Sequence, residues 1–136
     1  MREILFRGKR LDNGEWVYGF YFSMYHNDDR EHLHHFIIPL NVPIPKDKPI
    51  GEIQVEVDPD TIGQYTGSTD KNGKKIFEGD ILSGKYTIHN ATCVFKNGAF
   101  GLQFPDGFMT LARLSGCTFE IIGNIHDIPE LLEVKP

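Results

Sequence analysis

Four histidines lie close together in the sequence and are the residues best suited to bind a metal ion: His26, His32, His34 and His35. If this segment is a strand, His32 and His34 point to the same face, because strand side chains alternate, and could offer two ligands to a divalent ion. A complete site would need further ligands from Cys93, His89 or an aspartate elsewhere in the chain. We therefore expect no metal and no other cofactor, and interpret the histidines as polar strand or loop residues.

The segment Glu78-Gly79-Asp80 places a carboxylate on either side of a glycine. One interpretation is an acid–base pair or a Mg²⁺ site, and a metal-dependent hydrolase could combine Asp80 with His32 and His34. The other interpretation is a tight turn before a strand, in which Gly79 adopts an unusual φ and Asp80 binds nearby backbone N–H groups. We favour the turn, because no nucleophile or phosphate-binding motif accompanies the two carboxylates in the sequence.

The two cysteines do not indicate catalysis. Cys93 and Cys117 form no closely spaced pair of the zinc-ribbon or redox type. Cys93 lies in an apolar segment, where free cysteine commonly packs as a small hydrophobic residue. The chain also lacks the sequence motifs of nucleotide-binding enzymes, serine hydrolases and zinc proteases. We expect a protein that is not an enzyme and that has no catalytic residues.

Charge is distributed unevenly along the chain. The formal net charge is −5, which disfavours a general nucleic-acid or anionic-membrane binder, whereas residues 1–10 are basic. This basic end could bind nucleic acid weakly through Arg7 and Arg10, with further charge from Lys71, Lys74 and Lys75. The same residues also fit an edge strand whose charges face water and deter aggregation, and we favour that interpretation.

Aromatic residues are concentrated between residues 16 and 25. Trp16, Tyr18, Phe20 and Phe22 share one face of a predicted strand, and Tyr21 lies on the opposite face. One of the two faces must pack in a core. If Tyr21 and Tyr25 face solvent, they are suited to bind a protein partner, because large amphipathic rings anchor interfaces.

Turn signals recur between short apolar segments. The pairs Asn13-Gly14, Asn72-Gly73 and Asn97-Gly98 favour type I′ hairpin turns. The segments around them predict strands over residues 4–6, 16–22, 63–67, 75–77, 80–82, 86–88, 91–95, 100–104 and 119–125. The pattern is mostly β and predicts a small, partly open β-barrel or a sandwich.

Residues 23–50 interrupt this pattern with a polar loop over 27–31 and four prolines between positions 39 and 49. Proline at that density forbids a long helix or a central strand. The sequence therefore predicts an N-terminal β lobe over 1–50, ending in a proline-rich connection, and a barrel-like lobe over 51–136; one domain over 1–136 is the alternative. A short C-terminal helix is expected after Asp127, with Pro129 in its first turn, and a weaker helix over 106–114.

The sequence also favours one cell compartment. No apolar run approaches the about 20 residues that cross a bilayer, and the N-terminal residues lack the apolar region of a signal peptide. Because no cysteine framework indicates an oxidising environment, we expect a cytoplasmic protein without a membrane partner.

The central segment resembles the YopX-like proteins of phages and prophages. The similarity rests on Gln64-Tyr65-Thr66-Gly67 and residues 70–81, and extends to residues 6–10 and 121–132 at the two ends. It implies a small, mainly β protein with SH3-like character, encoded by phages and integrated elements of Gram-positive bacteria and without an established activity. No catalytic residues come with it. The residues that we expect to form turns and fill strands are Gln64, Tyr65, Gly67, Asp70, Asn72, Gly73, Glu78, Gly79 and Asp80.

These observations together predict a non-enzymatic accessory protein of the bacterial cytoplasm that binds a phage or host protein, or a second copy of itself. Self-association is plausible because a partly open barrel has strand edges that symmetric pairing would close. Nucleic-acid binding and metal-dependent hydrolysis are the two alternatives.

Overall fold

A computed structural model of the chain describes residues 3–40, 46–47, 53–85, 87–113 and 118–132. Almost all of the regular structure in these residues is β. The strands are β1 (Phe6–Lys9), β2 (Trp16–His26), β3 (Asp29–Pro39), β4 (Val55–Glu56), β5 (Gly63–Thr69), β6 (Lys75–Phe77), β7 (Asp80–Gly84), β8 (Ala91–Lys96), β9 (Ala99–Phe104), β10 (Gly107–Thr110) and β11 (Phe119–Asn124). Within the described residues, 3₁₀ turns cover Pro59–Thr61 and Pro129–Leu132.

The strands form two antiparallel sheets. One has the order β4-β3-β2-β1-β5-β6, and the other has the order β10-β9-β8-β7-β11. The predicted mostly β class is confirmed. Both sheets are open, so the described strands do not form a closed barrel, and SH3-like character is not confirmed.

The chain divides into two compact units, Glu3–Gln64 and Tyr65–Pro136, each of which has its own hydrophobic cluster. A compact unit need not be a domain that folds independently. The domain limits 1–50 and 51–136, and the alternative of one domain, stay predictions.

The first unit packs one face of β2 and β3 into a core. Val17, Ile37 and Val57 are buried there, and Tyr21, Val55 and Ile62 pack around them. β1 pairs with Trp16–Gly19 of β2, so a short β1 covers only the first part of a long β2. The 3₁₀ turn Pro59–Thr61 is tied to β1 by a hydrogen bond of 2.8 Å from the Lys9 N–H to the Thr61 hydroxyl.

The predicted interruption at residues 23–39 is wrong, because this segment forms the second half of a long β2–β3 hairpin. β2 continues to His26, and β3 begins at Asp29 immediately after the turn Asn27-Asp28. The two strands pair from Gly19↔Pro39 to His26↔Asp29. Strand pairing satisfies the backbone of this polar segment, and its many polar side chains hide the strand signal. Most of the proline-rich part, residues 41–45 and 48–50, lies outside the described residues.

The second unit has a hydrophobic core of its own. Its buried residues are Ile76, Leu82, Ala91, Cys93, Leu102 and Phe119. The Cys93 thiol is fully buried and packs in this cluster, as expected for a small hydrophobic residue, while Cys117 lies outside the described residues. The core side chains come from β6 to β9 and β11, whose alternation in sequence matches the observed faces.

One of the three Asn-Gly pairs forms the predicted type I′ geometry. Asn97 and Gly98 have φ of 53° and 80° and join the paired residues Lys96 and Ala99 of β8 and β9. At Asn13-Gly14 and Asn72-Gly73 only the glycine has a positive φ. Both glycines lie in longer loops, so the type I′ prediction is wrong there.

Three further expectations differ from the structure. Thr87 and Ile88 belong to no strand, and Tyr86 lies outside the described residues. Residues 107–110 form β10, which pairs with β9, in place of the weak helix over 106–114. The C-terminal helix is not confirmed: a 3₁₀ turn covers Pro129–Leu132, where the described part of the chain ends.

Candidate functional site

A cluster of histidines and carboxylates lies on the face of β2, β3 and β4 opposite the Val17, Ile37 and Val57 core of the first unit. The register pairs Met24 with His34 and Phe36 with Glu56, so His34 and Glu56 share this face. His26 follows Met24 by two residues in β2 and therefore shares the same face. The His26 and His34 ring centroids are 4.1 Å apart in an edge-on arrangement.

Three of these residues approach the geometry of a metal site. His26, His34 and Glu56 each offer a ligand atom, and the three atoms lie within 4.8 Å of one another. His34 Nδ1 lies 2.8 Å from Glu56 Oε2, and His26 Nε2 lies 3.9 Å from Glu56 Oε1. All three side chains are partly exposed, so the cluster can be reached from solvent.

Asp29 supports the cluster from its outer side. His34 Nε2 lies 3.1 Å from Asp29 Oδ2, and His32 Nδ1 lies 3.1 Å from Asp29 Oδ1. The backbone N–H groups of Glu31 and His32 also donate to Asp29 Oδ1. Asp29 is therefore held in place by its own turn and bridges two imidazoles.

The hydrogen bonds of the cluster shift two pKa values in opposite directions. The hydrogen bond from His34, followed by that from His32, lowers the pKa of Asp29 to about 2 against the opposing effect of desolvation. The hydrogen bonds to Glu56 and Asp29 raise the pKa of His34. Because both imidazole nitrogens of His34 face carboxylate oxygens, the protonated ring is the form that these neighbours stabilise.

Of the sequence candidates for metal binding, His34 and His26 belong to this three-residue group and His32 does not. Cys93, His89 and Asp80 are likewise outside the groups of three potential ligands found among the described residues. Glu56 was missed in the sequence, since it follows the proline-rich segment and reaches β3 only through the two-residue strand β4. No local spacing signals a contact between residues 34 and 56.

Several basic residues of the nucleic-acid hypothesis contact other side chains of the protein. Arg7 is buried, with its guanidinium 4.7 Å from the centre of the Trp16 ring. Arg10 forms a two-point hydrogen bond with Asp12, at 2.9 and 2.8 Å. Lys71 lies 3.6 Å from Glu120, while Lys74 is exposed.

The two tyrosines of the partner-binding hypothesis differ in their exposure. Tyr21 lies on the core side, where its hydroxyl is 2.7 Å from His35 Nδ1 and its ring packs against Phe6. Tyr18 and Phe20, on the opposite face, are exposed instead. Tyr25 is exposed as the partner-binding hypothesis requires. Strand alternation identified the two faces, but only packing decided which of them is covered.

The central motif occupies strands and turns of the described structure. Gln64 pairs with Phe6 at the start of β5, and buried Tyr65 packs its ring 5.7 Å from Phe77. Gly67 has a φ of 88° at the register irregularity between β5 and β6. Asp70 is buried and accepts three backbone hydrogen bonds, from Asn72, Lys74 and Ile121.

The rest of the motif lies in the two turns on either side of β6. The Asn72 side chain donates to Glu120 across 3.3 Å, and Gly73 has a φ of 81°. Glu78 is half-buried in the turn before β7, in which Gly79 has a φ of 90°. Buried Asp80 accepts a hydrogen bond of 2.8 Å from the Phe77 N–H. This is the geometry of a tight turn leading into a strand.

The fold defines a small, mostly β protein built on two open antiparallel sheets. The family model described as YopX protein matches residues 5–133, so the chain belongs to the YopX family. It is similar to the crystal structure of protein EF1440 from Enterococcus faecalis, with 28% identity, a TM-score of 0.58 and coverage of 98% of this chain and 100% of that one. It also shares the fold of protein yopX from Bacillus subtilis, with 14% identity, a TM-score of 0.51 and full coverage of both chains. No curated protein matches the chain.

Among the residues that the structure describes, no helix has the length and apolar character needed to cross a bilayer.

Proposed function

We propose that this chain is a non-enzymatic, phage- or prophage-encoded accessory protein of the bacterial cytoplasm that binds protein by strand pairing, and that a second copy of the chain is its partner. The observation that carries the proposal is the open edge of β2. Beyond Gly19, no strand in the described part of the chain pairs with this side of β2.

The open edge of β2 is uncharged. Residues 20–25 read Phe-Tyr-Phe-Ser-Met-Tyr. An exposed edge strand without charge, proline or a covering element is a ready template for another strand. The outer edge of β3 differs, because it carries Asp29, Arg30 and Glu31 at its exposed end. Charged residues therefore disfavour pairing with another strand at the edge of β3. The edge of β2 over residues 20–25 has no such charges.

Along this edge, the backbone N–H and C=O groups of alternate residues point away from β3. The Val57 N–H donates to the His35 carbonyl on the β4 side of β3, so the opposed residues Ser23 and His35 do not exchange hydrogen bonds with each other. The N–H and C=O of Ser23 consequently point to the open side of β2. By alternation, the same holds for Tyr21 and Tyr25.

Two copies paired antiparallel about a twofold axis at Ser23 would satisfy these groups. In that register Met24 of each copy would lie opposite Phe22 of the other, and Tyr25 opposite Tyr21. The exposed fractions of Phe20, Met24 and Tyr25 are 53%, 46% and 51%. Covering such side chains on both faces of the hairpin would add hydrophobic stabilisation to the backbone hydrogen bonds.

The local charges favour protein over nucleic acid as the partner. The tip of the hairpin carries Asp28, Asp29 and Glu31 against Arg30 alone, which disfavours a phosphate backbone. The pairing of Arg10 with Asp12 and of Lys71 with Glu120 also reduces the positive charge that the nucleic-acid hypothesis needs.

Sedimentation equilibrium of the purified chain tests the proposal. We expect a dimer that Ser23→Pro converts to a monomer, because proline removes the outward N–H without touching the β2–β3 ladder. Ser23→Lys should do the same by charging the edge. Ser23→Thr is the matched control and should remain dimeric.

Far-UV circular dichroism establishes that each variant is folded. A wild-type chain that stays monomeric at all accessible concentrations would overturn the proposal. So would folded Ser23→Pro and Ser23→Lys variants that dimerise like the wild type.

A further inference from the structure

We propose that His26, His34 and Glu56 form a binding site for a divalent transition-metal ion of the zinc type. The site is independent of the proposed strand pairing. Two imidazoles and one carboxylate are one of the donor sets that hold Zn²⁺ where three protein ligands leave one position open. The set contains no thiolate, which agrees with an ion of borderline softness.

The distances fit such an ion with small movements. Ligand atoms about 2.0–2.1 Å from a tetrahedral Zn²⁺ lie about 3.3 Å from one another. The observed separations of 2.8 Å, from His34 Nδ1 to Glu56 Oε2, and 3.9 Å, from His26 Nε2 to Glu56 Oε1, lie on either side of that value. Rotation of these partly exposed side chains would bring one oxygen of Glu56 and the two imidazole nitrogens to such distances, on backbones that strand pairing already holds.

Asp29 would orient one of the metal ligands through a hydrogen bond. Histidine ligands commonly donate their other ring N–H to a carboxylate, which fixes the tautomer and the ring orientation. With Nδ1 of His34 on the ion, Nε2 is the remaining donor, and it already lies 3.1 Å from Asp29 Oδ2. Asp29 is in turn oriented by backbone N–H groups of its own turn.

The three ligands lie in three different strands, and this placement indicates how a bound ion would affect stability. His26 ends β2, His34 lies in β3 and Glu56 lies in β4, which pairs with β3 only at Phe36 and Ile37. A bound ion would join these three strands. Because an ion that binds only the folded chain stabilises it, the midpoint of thermal unfolding should rise with ion concentration.

The test is titration of the full chain, freed of metal by a chelator and dialysed, with Zn²⁺ alone in an isothermal calorimeter. We expect one ion per chain. His26→Ala, His34→Ala and Glu56→Gln should each weaken binding by tenfold or more, and Asp29→Asn by about 10–100-fold. Co²⁺ should bind with the visible absorption of a four-coordinate ion.

His32→Ala is the matched control, because this imidazole is on the same hairpin and touches Asp29 but is outside the three-residue group. It should retain the wild-type affinity within about threefold. Circular dichroism of each variant without metal shows that the fold is intact. Absence of saturable binding would overturn the proposal, as would equal losses in His32→Ala and His34→Ala, or unchanged affinity in folded His26→Ala.

Discussion

At the scale of single residues, Asp70 joins the β5–β6 loop to β11 through hydrogen bonds. Its side chain is only 6% exposed, yet it accepts backbone hydrogen bonds of 2.9 Å from Asn72 and Lys74 and of 3.0 Å from Ile121. One carboxylate therefore closes the β5–β6 loop and fastens it to β11. Its hydrogen bonds account for this residue of the family motif by its role in folding.

Asp70→Ala should lower the free energy of unfolding by about 3 kcal/mol, because it leaves three backbone N–H groups without their charged acceptor. Urea denaturation followed by circular dichroism measures the change. Asp106→Ala is the control, since Asp106 is exposed in the loop before β10 and should change stability by less than about 0.5 kcal/mol. Equal effects of the two substitutions would contradict this account of Asp70.

Asp70 also makes stability depend on pH. Burial alone would raise its pKa, but the hydrogen bonds from Ile121, Lys74 and Asn72 outweigh burial and hold the pKa below its usual value. A carboxyl whose pKa is lower in the folded state stabilises the protein above its unfolded pKa of about 3.9, and this contribution is lost as pH falls through the folded pKa.

Comparison with Asp70→Asn isolates this term. The difference in unfolding free energy between wild type and variant should be largest above about pH 4 and shrink progressively in more acidic solution. Urea denaturation at a series of pH values measures it. A difference that stays constant with pH would show that ionised Asp70 does not stabilise the fold.

At the scale of elements, the turn of the β8–β9 hairpin depends on backbone conformation alone. Gly98 has a φ of 80°, and a Cβ built there meets no atom within 4 Å. Gly107 has equally open surroundings but no positive φ. The two positions therefore differ in conformational strain and not in steric contact.

Gly98→Ala should destabilise the protein by about 1–2 kcal/mol, the cost of a left-handed conformation for a residue with a Cβ. Gly107→Ala should be neutral or slightly stabilising, because alanine restricts the unfolded chain without strain in the fold. Thermal unfolding of both variants measures the contrast. Similar midpoints for the two variants would contradict it.

Sequence reasoning predicted most strands but missed the second half of the β2–β3 hairpin, which carries His26 and His34. Alternation and turn residues located the β8–β9 hairpin and β11 to within one residue at each end. The same reasoning failed for residues 23–39, because histidines and acidic residues hide the alternating pattern of this segment, in which only Phe36 and Ile37 are buried. The contact of Glu56 with His34 was not predicted either, because it depends on a two-residue strand that follows a long connection.

At the scale of the whole molecule, the proposed dimer predicts that stability depends on chain concentration. Folded dimers that unfold to monomers are stabilised by mass action. A tenfold increase in concentration should raise the unfolding midpoint by about 3 °C, and the midpoint of monomeric Ser23→Pro should not move. Differential scanning calorimetry at two concentrations measures this. A wild-type midpoint that is independent of concentration would count against the dimer.

The sequence by itself determined the mostly β class, the positions of most strands and the membership of the YopX family, because these follow from local alternation, turn residues and a motif written in consecutive positions. Only the tertiary structure decided that Tyr21 packs inward while Phe20 faces solvent, and that His26, His34 and Glu56 meet. The physical reason is that an alternating strand defines two faces without saying which is covered. Register between distant strands, and not spacing along the chain, brings potential ligands together.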